Sequence, residues 1–410
     1  MESLEVYLND CKAGCLINEN GSLSFAYDEV YLSSDQRVSL SFALPLRIEP
    51  YNHSEIEPIL SNLLPDDIIR TRIGQILKIP RENTFALLKA IGGDCAGAVS
   101  FFSPGATLVG NDVCEFRQLT DDEAGAVLDN LEKRPLDIGE EGFRISGAGA
   151  QDKLIACVSG NSVSLPLFGT PSTHIIKTEI RNYPGSVENE WYSMSLAAAC
   201  GLRVASSAIA LIGGKRRFVS KRYDRVDIDG RTYRLHQEDF CQMMRIDPGM
   251  KYEVLGGPGI VSSYILLRKL SVPAPDLLEF IDRVIFNFLI GNGDAHGKNF
   301  SVVYRDGVAT LAPMYDVMST AVYPDVGKRM AMKIDDEYSF KWITAGKFLR
   351  MASKIGVSEK VMTKELAKMS RKIKREAPKI AAKCNRKWPS AVYSNIVEGI
   401  EQRVGQIVVK

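Results

Sequence analysis

No stretch of this chain approaches the roughly 18 consecutive apolar residues that a membrane-spanning helix needs, and no apolar leader follows Met1. A cytoplasmic protein with no membrane partner is therefore expected. Histidine is scarce, four in 410 residues at positions 53, 174, 236 and 296, which makes a multi-histidine metal hydrolase hard to assemble. Eight cysteines lie at 11, 15, 95, 114, 157, 200, 241 and 384 without C-x-x-C pairing, so a zinc ribbon is excluded and the thiols read as reduced. Cys11 and Cys15 remain as a weak metal pair. Charge of one sign is lacking too: 51 basic against 50 acidic residues give the whole chain no bias toward nucleic acid or membrane.

What is present is an ordinary globular composition, 45% hydrophobic and 25% charged, in a chain long enough for one large core or two to three smaller ones. Val38-Ser39-Leu40-Ser41-Phe42 alternates as a half-buried strand does, and Leu64-Pro65-Asp66-Asp67-Ile68 puts Pro and acids where a helix begins. Gly92 through Ala98 form a turn into a strand ending at Phe101-Phe102, and a domain boundary is expected near 105 to 120. Short strands follow at 153–158, 174–177, 208–212 and 217–220, the last two joined by the hairpin signal Gly213-Gly214. One helix, 187–200, stops at Gly201. Beyond 260 the periodicity is helical, broken by a strand pair, 300–304 and 308–311, around Asp306-Gly307. The division is 1–115, 116–243 and 244–410.

The chemistry concentrates in Gly291-Asn292-Gly293-Asp294-Ala295-His296-Gly297-Lys298-Asn299-Phe300, directly after the apolar run 284–290. Asn299 follows Asp294 by five positions, the spacing at which protein kinases hold a catalytic Asp and a metal-binding Asn on one loop. Alone, the spacing also suits a polar loop making turn hydrogen bonds. Asp316, seventeen residues further on in Tyr315-Asp316-Val317, stands where a kinase places its second metal ligand. Hard Mg²⁺ takes oxygen ligands and keeps waters, so one carboxylate, one amide oxygen and phosphate oxygens suffice.

Upstream, Ser146-Gly147-Ala148-Gly149-Ala150-Gln151-Asp152-Lys153 has little side-chain bulk at 147–150, so backbone N–H groups can approach phosphate oxygens. An ordinary glycine turn reads the same way. Lys177 ends the strand His174-Ile175-Ile176 and is aimed as a phosphate-binding lysine is, with Glu188 or Glu190 to hold it; a snorkelling edge lysine is the plain alternative. Leu235 through Gln242 sits where a linker would offer backbone groups to an adenine, or where a polar helix N-terminus would lie.

With Leu63-Leu64-Pro65-Asp66, Gly92 through Ala98, Ser146 through Lys153, His174 through Lys177, Asn189-Glu190, Lys221-Arg222-Tyr223-Asp224-Arg225, His236 through Phe240, Gly291 through Ser301 and Tyr315-Asp316, the sequence resembles the HipA-like serine/threonine kinases, toxins of bacterial toxin–antitoxin pairs. Two positions depart mildly: Tyr223 replaces a more usual Phe, and Asp152 a commoner Glu.

The resemblance implies an α+β, two-lobed protein-kinase-like fold, with a small mixed β-sheet lobe, a mainly helical C-terminal lobe and an N-terminal α+β accessory domain. It implies ATP and Mg²⁺ as cofactors and Asp294 as catalytic base, with Asn299 and Asp316 as metal ligands. The ATP site would comprise Lys177, the phosphate loop Ala148, Gly149, Ala150, Gln151, Asp152 and Lys153, the adenine contact Glu238, Asp239 and Phe240, and His296, Lys298, Asn299, Tyr315 and Asp316. Autophosphorylation at Ser146 would silence the enzyme. The implied partners are a small helix-turn-helix antitoxin of HipB type, operator DNA through that antitoxin, and a protein substrate, with an aminoacyl-tRNA synthetase as precedent. A small-molecule or lipid kinase and a non-catalytic co-repressor are the alternatives; the second is opposed by Lys177, Asp294, Asn299 and Asp316 standing together. The basic run 354–387 reads as a solvated helix face or a nucleic-acid surface.

Overall fold

The computed structural model describes residues 1–35, 37–106, 114–139, 142, 144–149, 151–326 and 328–407. The boundary expected near 105 to 120 falls partly outside them, as does Ala150. The chain forms two compact units: Met1–Thr178 with Ala210–Gly249 and Val303–Gly307, and Glu179–Ile209 with Met250–Val302 and Val308–Lys410.

The first unit opens with an antiparallel sheet whose order places Ser22–Tyr27, Cys11–Glu19, Glu2–Leu8 and Val99–Phe102 side by side. Its buried face, Leu4, Val6, Leu16, Leu23 and Phe25 among others, runs into a core shared with Leu154, Ile155 and Ile176. The helices His53–Asn62 and Asp67–Leu77 pack on it; the first carries a capping box from Asn52 and Glu55, and the second begins after Asp66, where the Pro-acid signal placed it.

The alternating segment 38–42 is not a strand. It bends at Leu40 and turns from Ser41 to Leu44, whose N–H donates to Ser41 O at 2.9 Å, and its backbone donors are taken by side chains: Val38 N–H by Tyr31 Oη at 2.9 Å, Leu40 N–H by Tyr27 Oη at 2.7 Å and Phe42 N–H by Glu238 Oε1 at 2.9 Å. Nor does burial alternate: Leu40 and Ser41 are both buried, while Val38 and Phe42 are exposed.

A six-stranded sheet follows, in the order Glu115–Leu119, Ser162–Leu167, Lys153–Ser159, His174–Lys177, Lys215–Lys221, Ser207–Ile212. Gly213 and Gly214 both have positive φ, as a two-residue hairpin turn requires. A buried charge network joins the turn before strand Val99–Phe102 to the residues after Lys215–Lys221 and to a separate hairpin, Arg225–Ile228 with Arg231–Arg234. Fully buried Asp94 is ion-paired with Arg225 at 2.8 Å, Arg234 at 3.0 Å and Arg222 at 3.2 Å, while Asp224 pairs with Arg222 at 2.7 Å and Arg225 at 2.8 Å. Burial alone would raise the Asp94 pKa; the three guanidinium groups outweigh it and hold the carboxyl well below the usual range.

The second unit is mainly helical: Ser186–Ala199, Ile260–Lys269, Ala274–Ile290, Ala345–Lys354, Glu359–Lys387 and Val392–Ile407. Its helix Ser186–Ala199 is followed by Gly201 at φ +87, the expected stop. The strands Arg329–Ile334 and Glu337–Ser339 form an antiparallel pair that the sequence reading did not anticipate. Among the described residues no helix is long and apolar enough to cross a membrane.

Candidate active site

In the first unit the small-residue loop is tied down at every turn. Ser146 is 2% exposed; its hydroxyl donates to Leu63 O at 2.6 Å and its N–H to Asp94 O at 3.1 Å. Asp66 N–H donates to Gly149 O at 3.3 Å. Gly149 has φ +107, and a Cβ there would lie 2.7 Å from Lys153 Nζ, so the close turn depends on glycine. Lys153 reaches back to donate to Ala148 O. Gln151 Nε2 donates to Thr178 O at 3.4 Å, and Asp152 pairs with Arg72 at 3.0 Å, its pKa raised by burial against the pull of that arginine. The loop conformation is thus set by Leu63, Asp66 and Asp94, all from the amino-terminal hundred residues.

Lys177 stands on a central strand, opposite Lys153 on one neighbour and Phe218 on the other, and is 6% exposed with its Nζ 5.7 Å from the Phe218 ring centroid. It is not an edge lysine. Gln237–Asp239 is a short strand leading directly into the helical turn Phe240–Met243, which Asp239 caps with Gln242, so the polar residues do stand at a helix start. The Glu238 carboxylate accepts from Ser41 Oγ, from Phe42 N–H and from Tyr304 Oη at 2.8 Å. Burial pushes it up to about 7. That carboxylate is committed internally, so an adenine would meet this segment through its backbone. Phe240 is core. Buried His236 stacks on Tyr304 at 5.4 Å, and burial pulls its pKa down to about 4.

In the second unit the apolar run 284–290 is the end of helix Ala274–Ile290, closed by Gly291 at φ +75. A Cβ on Gly291 would lie 2.7 Å from the Ala321 Cβ and 2.8 Å from Arg403 Cζ. Arg403, from the last helix, donates through Nε to Leu289 O at 2.8 Å and so caps this helix end. The polar decapeptide then folds on itself. Asn292 Nδ2 donates to Asn287 Oδ1 at 3.0 Å, Asp294 N–H to Asn292 Oδ1 at 3.0 Å, and Asn299 Nδ2 to Asp294 O at 2.7 Å. This last bond engages the Asn299 amide through its nitrogen, so its oxygen is turned away from Asp294 O. The Asp294 side chain is half exposed and accepts from Tyr252 Oη; His296 Nε2 lies 3.9 Å away. Tyr315 Oη donates to Lys298 O at 2.6 Å.

Asp316 is half-buried with φ +56, a left-handed backbone that costs a non-glycine residue energy and is concentrated at functional sites. Just beyond it, Ser319 Oγ donates to Ile290 O at 2.6 Å, Ala321 N–H to Gly291 O at 3.0 Å, and Gly293 N–H to Thr320 Oγ1 at 2.8 Å. The segment bearing Asp316 is thereby laced to the root of the loop bearing Asp294 and Asn299. An amide oxygen and a carboxylate fit a hard cation that completes its shell with phosphate and water. Among the described residues no group of three or more His, Cys, Asp and Glu is placed to hold a metal, so a site built wholly from such side chains is not on offer. Glu188 and Glu190 are both buried in helix Ser186–Ala199.

Comparison with known proteins decides the family. The HipA N-terminal domain model matches residues 4–102, and the HipA-like C-terminal domain model matches 145–377. The chain is 41% identical over 345 residues to a putative kinase, Y4mE, of Sinorhizobium fredii, covering 83% of this chain and 82% of that one. It is 30% identical over 387 residues to the serine/threonine-protein kinase toxin HipA of Shewanella oneidensis, covering 90% and 87%. The chain belongs to the HipA family. A solved Shewanella oneidensis structure of HipA with HipB and operator DNA superposes with a TM-score of 0.85 at 28% identity, covering 98% of this chain and 96% of that one. This HipA-family protein therefore has the mixed α+β HipA fold and is a serine/threonine protein kinase, an enzyme that uses ATP.

The residues missed by sequence reasoning are those whose role is to hold others: Tyr252, Asn292, Ser319, Thr320 and Arg403. Asn292, Ser319 and Thr320 sit within one to four positions of residues that were singled out, so proximity was a usable signal. Tyr252 and Arg403 lie 42 and 109 positions from Asp294 in sequence (294 − 252 and 403 − 294), and nothing local marks them.

Proposed function

We propose that this kinase transfers the γ-phosphoryl group of ATP to a serine or threonine of a protein substrate, with Asp294 as base, Asn299 and Asp316 holding Mg²⁺, and Lys177 with the 146–153 loop at the phosphates. The observation that carries the reading is a single one. A half-exposed Asp294 is bonded through its own carbonyl to the Asn299 amide, on a loop whose root is tied to the segment that holds Asp316 at φ +56. Bound Mg²⁺ would neutralise charge on the transferred group. Asp294 takes the proton of the acceptor hydroxyl as its oxygen attacks phosphorus.

The Shewanella complex contains HipB and operator DNA. On that likeness a small helix-turn-helix antitoxin neutralises this protein and carries it to an operator. The precedent of the family points to an aminoacyl-tRNA synthetase as substrate. Autophosphorylation at Ser146 switches the enzyme off, a reading supported by the burial of that residue: its hydroxyl donates to Leu63 O, and a phosphate of charge about −1.5 to −2 can neither donate there nor fit at 2% exposure, so the modified loop must leave.

The test is transfer from radiolabelled ATP to lysate proteins, lipids and metabolites, with and without Mg²⁺. Label in protein serine or threonine, lost by several orders of magnitude in Asp294→Asn and Asp316→Asn with circular dichroism unchanged, is the expected result. Label in lipid or metabolite alone, or activity near wild type in either variant, overturns it.

A further inference from the structure

The loop that precedes helix Ile260–Lys269 aims one side chain at the candidate base. Tyr252 Oη donates to Asp294 Oδ1. Its ring also meets His296 edge-on at 5.0 Å and 86°. His296 Nε2 approaches the same carboxylate oxygen to 3.9 Å, and Lys251 Nζ lies 5.9 Å from the Tyr252 ring centroid.

The segment carrying Tyr252 is fastened on both sides. Lys251 O accepts the N–H of Gly297, within the catalytic loop itself, at 3.2 Å. On the other side the Glu253 carboxylate accepts Lys333 N–H at 2.7 Å and pairs with Lys333 Nζ at 3.5 Å. Leu255 N–H and Gly257 N–H both donate to Tyr252 O, at 2.9 and 3.0 Å, and Gly256 makes the turn with φ +99. The backbone that carries the Tyr252 ring is thus held at its own carbonyl and on both sides.

That matters because a half-exposed aspartate can rotate about its terminal torsion and present either oxygen. A donor fixed at Oδ1 removes that freedom and directs Oδ2 outward. We propose that Tyr252 is a positioning residue for phosphoryl transfer, holding Asp294 through Oδ1 so that Oδ2 receives the proton of the acceptor hydroxyl. The balance is simple: the O–H bond of the acceptor breaks toward Oδ2, its oxygen bonds to the γ-phosphorus, and the bond from phosphorus to the ADP oxygen breaks. The inference rests on the reading of Asp294 as the base.

The test uses the full chain, with ATP and casein as a generic serine/threonine acceptor. Tyr252→Phe keeps the ring against His296 and deletes only the hydroxyl. It is expected to lower kcat about 10- to 100-fold with the KM for ATP within twofold of wild type, since misplacing a reacting group costs rate and not nucleotide binding. Tyr252→Leu should show the same split, a lowered kcat at a nearly unchanged KM for ATP. Wild-type kcat in Tyr252→Phe overturns the inference. If Asp294→Asn is inactive in that case, only the role of Tyr252 falls; if Asp294→Asn is active, the reading of the base falls first.

Discussion

Asn189 and Ser319 exchange a closed pair of hydrogen bonds: Ser319 N–H donates to Asn189 Oδ1 and Asn189 Nδ2 donates back to Ser319 O, both at 2.9 Å. Asn189 is fully buried, and Ser193 Oγ also donates to its Oδ1, at 3.2 Å. One helical side chain thus grips the segment that follows Asp316 by its main-chain groups.

Replacing Asn189 by Ala leaves a buried N–H and a buried carbonyl without partners, a loss of roughly 1–3 kcal/mol for each group. Asn189→Ala is therefore expected to lower the urea midpoint and, at a denaturant concentration where it is still folded, to reduce kcat more than tenfold. Unchanged kcat per folded molecule would confine Asn189 to stability.

Glu238 sets a pH dependence of known sign. Its folded pKa of about 7 exceeds the ordinary value of 4.5, so the folded state binds more protons between the two and stability falls as pH rises through that window, levelling off above it. Buried His236, lowered to about 4 from 6.5, tilts stability the other way between those values. Glu238→Gln removes only the first slope and can still accept from Phe42 N–H. Relative to wild type the variant should gain stability steadily from about pH 4.5 to 7, read from urea midpoints at half-unit steps; a constant difference across that range refutes the assignment.

Lys177 is expected to matter twice. Because it lies on a central strand and is nearly enclosed, Lys177→Met keeps the buried stem and removes the ammonium. Thermal unfolding without ligand should shift by only a few degrees, while the stabilisation that saturating ATP and Mg²⁺ give wild type should vanish. Full ATP-dependent stabilisation in Lys177→Met would return this residue to the core.

The Asp94 network makes the fourth case. Asp94→Asn removes the charge that three arginines face, and breaking a buried pair from one side costs on the order of 3–5 kcal/mol. Since Asp94 also takes the Ser146 N–H on its carbonyl, the variant should lose ATP affinity along with stability. Chemical denaturation matching wild type in Asp94→Asn would show that the arginines find other partners.

Much of this was legible in the sequence because local rules and tertiary partners agree. Gly213-Gly214 and Asp306-Gly307 made their turns, both with positive φ at each residue, and Gly201 ended its helix. The spacing of Asp294 and Asn299 put both on one loop, where a direct bond joins them. The failures share a cause. Segment 38–42 has strand alternation, but its acceptors are two tyrosine hydroxyls and a glutamate nearly two hundred positions away, which periodicity does not register. Lys177 was weighed as an edge residue because strand order is a long-range property. Tyr252 acts across 42 residues through a single hydroxyl, with no pattern of its own.

The last helix, Val392–Ile407, lies beyond residue 377, where the match to the family's C-terminal domain ends, yet its Arg403 caps the helix from which the Asp294 loop springs. A chain cut at that boundary would keep every residue proposed to touch nucleotide or metal and still lose the brace beneath them. Dissecting this kinase by sequence similarity alone should therefore yield a protein with all its chemical groups and no fixed place to hold them.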